Sequence, residues 1–229
     1  MSVANKLLLS LLTVGIFYTC LTLYQQHTPE PSLTVGLRFT PALLDNIEQT
    51  HGLSTRQRFV DWQELIEQGK NATELEKLRL SNDFFNQTSL FVDDKVLWKA
   101  QDYWATPFEF IIKGAGDCED FSIAKYFTLL EMGVDDSKLR ITYVKALELN
   151  QAHMVLTYYE SPAAVPLVLD NIKPDIRSAD ERRDLEPVYS FNGSGLWLAK
   201  LRSIDLNLGT AGSINAWEDL KLRMLEMNL

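Results

Sequence analysis

Three side chains, Cys118, His153 and Asp170, have the types and the chain order that nucleophilic catalysis by a thiol requires. Cys118 follows Gly114-Ala115-Gly116-Asp117 and stands at the start of an apolar stretch with helical character. A thiol placed there feels unpaired backbone N–H groups and the positive end of the helix dipole, and both favour the thiolate. The glycines before it let a substrate backbone come close. His153 lies near the start of an expected strand, flanked by Ala152 and Met154, whereas His27 and His51 lie in or beside polar turn sequence. A nucleophilic thiol needs a base within hydrogen-bond reach, and imidazole has the suitable pKa. Asp170 ends the next expected strand, Leu167-Val168-Leu169-Asp170-Asn171. If those two strands are adjacent and antiparallel, the start of one lies beside the end of the other. A carboxylate on one imidazole nitrogen then fixes the tautomer that presents the other nitrogen to the thiol. Asn171 and Asp175 are close enough in the chain to take the same part. Taken singly, each of the three residues has an ordinary structural reading: a small buried thiol, a histidine packed in a sheet, a turn aspartate. The combination points to thiol catalysis.

The residues around Cys118 pose a second chemical question. Asp117, Glu119 and Asp120 place three carboxylates beside a thiol that must ionise, and like charges raise its pKa. Helix capping accounts for part of this, with Asp117 as N-cap and the other two in the first turn. A hard divalent cation held by the same oxygens would offset the repulsion, as calcium does among clustered carboxylates. Three carboxylates do not complete a calcium shell, so carbonyls or water would have to contribute. Zinc is not the expected ion, because there is no His/Cys spacing to hold it. The backbone N–H of Cys118 is the natural oxyanion donor, and Trp104, upstream, is a site candidate as well as a core one.

The elements that must position these residues can be read from periodicity. Between 41 and about 86 the apolar residues recur at helical spacing (Leu43, Leu44, Ile47; Phe59, Trp62, Leu65, Ile66; Leu75, Leu78, Leu80), with a turn at 69–71. A further helix is predicted over Asp93–Asp102, and Thr106-Pro107-Phe108-Glu109 is a capping box opening a short helix towards Ile112. The helix from Asp117–Cys118 to Glu131 carries apolar residues on several sides, which requires burial all round. After Gly133 the chain becomes rich in β-branched and aromatic residues, with strands expected at 139–147, 152–159, 165–169, 188–191 and 196–201. Residues 216–225 return to a helical pattern. Helices first and strands second imply an α+β fold with an antiparallel sheet.

Composition narrows the function class. The 229 residues are 46% hydrophobic and 23% charged, which suits a folded domain, and the net charge is −9. Nucleic-acid binding needs a basic face, and 31 acidic against 22 basic side chains do not supply one. Residues 1–26, with Lys6 ahead of an apolar run from Leu7 to Tyr24, read as a signal peptide or an uncleaved membrane anchor. Residues 27–40 read as a proline-bearing linker and 41–229 as the domain. Loss of the leader removes Cys20 and leaves Cys118 alone, so that an exported protein would carry one free thiol.

Gly116-Asp117-Cys118-Glu119-Asp120-Phe121 with Ala124-Lys125-Tyr126, Gln151-Ala152-His153-Met154-Val155-Leu156, and Leu169-Asp170-Asn171 resemble the bacterial transglutaminase-like cysteine proteinases over roughly residues 35–205. The resemblance implies a papain-like, transglutaminase-like core with Cys118 as nucleophile, His153 as base and Asp170 as orienting carboxylate. It also implies calcium at Asp117, Glu119 and Asp120. For biology it implies a periplasmic endopeptidase that cuts the N-terminal region of a large repeat-containing surface adhesin at an Ala-Ala pair. Release of that adhesin would control biofilm attachment. The implied regulator is the periplasmic domain of an inner-membrane cyclic-di-GMP receptor. Two other readings keep the same residues: an acyl transferase that uses an amine in place of water, and a calcium-stabilised binding module without catalysis.

Overall fold

A computed structural model of the chain describes residues 39–200, 204–209 and 214–226. The expected leader at 1–26 and most of the linker lie outside the described residues. Thr40 caps helix α1 (Pro41–His51), its hydroxyl accepting from Leu43 N–H, with proline at the first helical position. Phe39, just before it, packs on Phe59, Trp62 and Phe108 at ring-centroid distances of 5.2–5.5 Å. Helix α2 (Leu53–Lys70) buries Thr55, Phe59, Trp62 and Ile66, the three-to-four spacing of one helical face. The Thr73–Glu76 capping box opens α3 (Glu74–Thr88).

The expected helix over Asp93–Asp102 is a correction. Only one turn forms, α4 (Asp94–Leu97). Lys99 adopts φ 59°, which stops the helix, and the Asp94 carboxylate accepts from Tyr103 N–H and folds the chain back on itself. Local polar bonding of this kind competes with helix propagation. The Thr106–Glu109 capping box is present and opens α5 (Pro107–Lys113), which ends at Gly114 in the left-handed region (φ 60°). Strands β1 (Leu90–Phe91) and β2 (Ala115–Gly116) then pair in parallel, just before α6 (Cys118–Glu131).

Helix α6 is buried along its length from Asp120 to Leu130. One side (Phe121, Ala124) joins the aromatic cluster of the N-terminal helices, and the other (Ile123, Tyr126, Phe127, Leu130) faces the sheet. Each such side chain, fully buried, contributes about 1.5–3 kcal/mol of transfer free energy. That two-sided burial explains why its apolar residues show no single stripe. A buried bond from Trp62 Nε1 to Thr128 Oγ1 (2.8 Å) ties α2 to α6.

A one-turn 3₁₀ helix (Asp136–Lys138) leads into the sheet. Its strands are β3 (Leu139–Ala146), β4 (Gln151–Tyr158), β5 (Leu167–Leu169), β6 (Arg177–Ser178), β7 (Leu185–Phe191), β8 (Leu196–Lys200) and β9 (Ile204–Gly209). They are ordered β6-β5-β4-β3-β7-β8-β9 with every pair antiparallel. Side chains alternate across this sheet. Met154, Leu156 and Leu169 face α6, while Val155, Val168, Val144 and Leu185 form a smaller cluster with Ala146. Helix α7 (Asn215–Glu226) returns to plant Trp217, Leu220 and Met224 in the main core. The fold is α+β, helices packed on an antiparallel sheet, as the order of patterns required. Strands β1, β2, β6 and β9 are additions to those expected.

Candidate active site

Strands β4 and β5 are neighbours, with Leu156 opposite Leu169 and Tyr158 opposite Leu167. That register puts the residue after β5 beside the start of β4. His153 Nε2 and Asp170 Oδ1 meet there at 2.8 Å, the two residues being 2% and 1% exposed. Asn171 and Asp175, the alternatives on sequence, do not take this place. Asp175 is exposed and pairs with Arg177, and Asn171 Oδ1 has no hydrogen-bond partner. Burial works to raise the Asp170 pKa, but the His153 bond and charge, the Ile172 N–H and Arg182 oppose it and hold the group down at about 2. An ionised Asp170 can only accept, so Nε2 carries the proton and Nδ1 presents the lone pair.

Cys118 is the first residue of α6, with Asp117 as N-cap. Its N–H lies in the first turn, where no intrahelical acceptor exists. The sulfur sits against the backbone N–H of Met154, the residue after His153. Its own hydrogen bond goes to Glu119 Oε2 at 3.0 Å. Burial, the charge and hydrogen bond of Glu119, and the charge of Asp117 push the thiol far above its ordinary pKa, and the Met154 N–H opposes them only in part.

The acidic residues fall into one cluster, larger than the sequence showed. Asp120 is fully buried; its Oδ1 accepts from Ala105 N–H (2.8 Å) and its Oδ2 from Asp117 N–H (3.3 Å). A Cβ at Gly116 would lie 2.7 Å from Asp120 Cβ, so only glycine admits this approach. Asp94 and Asp102 join from the segment misread as helix. Oxygen atoms of Asp94, Asp117 and Asp120, and likewise of Asp94, Asp102 and Glu119, lie within 4.8 Å of one another. Asp117 is pushed up to about 9 by burial and by Glu119, Asp94 and Asp93, and Asp94, Glu119 and Asp120 are all raised, burial being the largest cause in each. Asp94 Oδ1 and Asp117 Oδ1 are buried with no hydrogen-bond partner. Such orphaned carboxylate oxygens, once ionised, are the donor set that a hard divalent cation takes, and the residues fit one.

A profile of the bacterial transglutaminase-like cysteine proteinases matches residues 60–184, the span that holds all of these groups. The chain belongs to that family. Among solved structures it is similar to Legionella pneumophila LapG after EGTA treatment, at 46% identity and a TM-score of 0.70. It is similar also to calcium-bound LapG, at 45% identity and 0.69. Each match covers 79% of this chain and 97% of the LapG chain. A comparison with the curated proteins finds no match. Several residues behind the site the sequence did not reveal.

Arg182 is 3% exposed and donates from Nη2 to Asp170 Oδ2 at 2.7 Å. Asn86 Nδ2 donates to the Asp170 carbonyl (2.8 Å) and Asn82 Nδ2 to that of Pro174 (2.7 Å), so α3 holds the loop after β5. Lys125, buried in α6, donates to Asn82 Oδ1 at 3.0 Å, and burial pulls its ammonium down to about 7 against the charges of Asp170 and Asp83. Trp104 is 7% exposed and stacked on Phe191 at 5.6 Å, which is a core position. Its Nε1 nevertheless donates to Asp102 Oδ1 (3.1 Å), so it orients one of the clustered carboxylates. Arg182 sits in the polar run Glu181-Arg182-Arg183-Asp184 and Asp94 beside the helix-capping Asp93. Neither context carried a signal.

Proposed function

We propose that this proteinase is a calcium-dependent cysteine endopeptidase that acts through Cys118, His153 and Asp170. The observation that carries the reading is the buried His153–Asp170 pair, with His153 on the strand whose Met154 N–H meets the Cys118 sulfur, at a helix N-terminus where two carboxylates have orphaned oxygens. Cys118 gives its proton to His153 Nδ1, and its sulfur attacks the peptide carbonyl carbon while the Cys118 N–H receives the developing oxyanion. The C–N bond breaks, and His153 returns the proton to the leaving amine. Water then adds to the thioester with His153 as base, releasing the acid and restoring the thiol. Asp170 keeps Nε2–H pointed at itself throughout, so that Nδ1 faces the chemistry. Asp94, Asp117, Glu119 and Asp120 would hold calcium, with Asp102 beside them. Its charge would offset the carboxylates that, together with burial, raise the thiol's pKa. Glu119 is both a ligand candidate and the acceptor of the thiol's hydrogen bond, which links metal binding to the state of the sulfur.

The substrate we propose is the N-terminal region of a large repeat-containing surface adhesin, cut at an Ala-Ala pair in the periplasm. Its release would control biofilm attachment. The periplasmic domain of an inner-membrane cyclic-di-GMP receptor would hold the proteinase inactive. Support for these finer points comes from family membership and from the export-type leader of the sequence. The test is incubation of the protein with such an adhesin segment, with calcium, with EGTA, and with Cys118→Ala. A single new N-terminus that appears only with calcium and the intact thiol is expected. Cleavage that survives EGTA would return the carboxylates to helix capping. A product formed only with an added primary amine would make the protein an acyl transferase.

A further inference from the structure

Asp170 has two freedoms that must be removed before it can orient an imidazole: the position of its backbone and the rotation of its carboxylate. Asn86 holds the backbone carbonyl. Oδ1 is committed to His153 and to the Ile172 N–H at 2.8 and 2.9 Å. Oδ2 is held by Arg182 Nη2 alone among the described residues. The guanidinium is itself fixed, because Nε and Nη2 both reach Asp184, at 3.0 and 2.9 Å, and Asp184 also accepts from Lys173 Nζ at 3.0 Å. The charges alternate from Asp170 through Arg182 and Asp184 to Lys173. Arg182 Nη1 is buried with no hydrogen-bond partner. A buried guanidinium with an unsatisfied nitrogen is a poor source of stability, since an apolar side chain of similar volume commonly does as well. Its placement answers to the carboxylate it holds.

We propose that Arg182 is a positioning residue for catalysis: by pinning Asp170 Oδ2 it keeps Oδ1 on His153 Nε2 and thereby locks the imidazole in the tautomer that turns Nδ1 to the thiol. This rests on the proteinase reading of His153 and Asp170, but its first readout needs no substrate. The full chain has three histidines, so ring ¹H–¹⁵N spectra of the folded protein resolve His153, assigned by the change in Asp170→Asn. The wild type is expected to show the Nε2–H form. Arg182→Gln is expected to convert the His153 ring signals to a tautomer mixture while His51 keeps its own. Arg182→Lys, which restores a donor and a charge, is expected to recover the Nε2–H form in part. On the adhesin segment, Arg182→Gln lowers kcat by about 10²-fold, the scale of small misplacements, with KM within about a factor of two. In an Asp170→Asn background the same substitution costs nothing further. Wild-type ring signals in a folded Arg182→Gln protein would overturn the proposal. So would an equal loss of kcat in both backgrounds, which marks a structural role. If Arg182→Gln does not fold, Arg182→Lys alone decides: a partial shift of the His153 ring signals away from the Nε2–H form with a matching partial loss of kcat supports the pinning, and unchanged ring signals in the folded protein, whatever the kcat, overturn it. Full activity in Asp170→Asn would instead remove the proteinase reading and leave the spectroscopic result standing by itself.

Discussion

Two walls of the same site treat buried carboxylates in opposite ways. On the sheet side, Asp170 is buried yet held at about 2, because His153 and Arg182 sit on its two oxygens. On the helix side, the half-buried Asp117 is raised to about 9, by desolvation that its neighbours Glu119, Asp94 and Asp93 reinforce, whereas His153 and Arg182 oppose it at Asp170. The side-chain chemistry is the same, so the difference is entirely in the company. The sheet wall is electrostatically complete as it stands. The helix wall is not, and its two orphaned oxygens, on Asp94 and Asp117, are where the proposed cation would sit. Cys118 lies between the two walls, and at present its hydrogen bond goes to the incomplete one.

Removing the group between the walls gives the largest effect. Cys118→Ala should lower cleavage by at least about 10⁴-fold and leave the thermal midpoint nearly unchanged, because little volume is lost. Turnover that survives would take the nucleophile away from this helix. Breaking the complete wall comes next. Asp170→Asn should lower kcat by roughly 10³-fold with little change in KM, since the wrong tautomer is then favoured. Loss of KM in its place would show that Asp170 binds substrate rather than orienting His153.

The incomplete wall should respond with the opposite sign in stability. Asp94→Asn, measured in EGTA, should raise the thermal midpoint by roughly 2–4 °C by removing one of the repelling charges, while it weakens calcium binding. A lower midpoint would mean that the Asp94–Tyr103 bond outweighs the repulsion. The smallest effect is the pH dependence. Between the ordinary aspartate range and about 9 the folded protein keeps a proton on Asp117 that the unfolded chain has released. Stability without calcium therefore falls as pH rises through that window, and the slope should flatten with calcium bound. Asp170, with a depressed pKa, stabilises above the ordinary aspartate value and loses that contribution as pH falls towards about 2. Thermal melts across pH, with and without calcium, separate the two.

The legible parts of this molecule were those written in local pattern. The Thr106–Glu109 capping box, the helix at Cys118 and the β-branched and aromatic run of β4 could each be read from a few neighbouring residues. Placing His153 against Asp170 needed only the assumption that consecutive strands pair, and they do. What escaped was set by tertiary contact. Asp93–Asp102 has helical composition, but a carboxylate-to-backbone bond from Asp94 to Tyr103 overrides it and delivers Asp94 and Asp102 to the cluster. Arg182 reaches Asp170 across a polar loop whose sequence resembles any exposed turn. Lys125, by composition a surface residue, is buried because α6 is covered on both sides.

The account turns on whether the helix wall takes up a divalent cation to become like the sheet wall. Calcium titration of the full chain by calorimetry, in two buffers of different ionisation enthalpy, tests this most directly. The predicted result is one bound ion, with protons released on binding because raised carboxylates must ionise to hold it. Glu119→Gln should weaken that binding by at least about 10-fold. No binding, or binding without proton release that Glu119→Gln leaves unchanged, would contradict the account and reduce the acidic cluster to the capping of one helix.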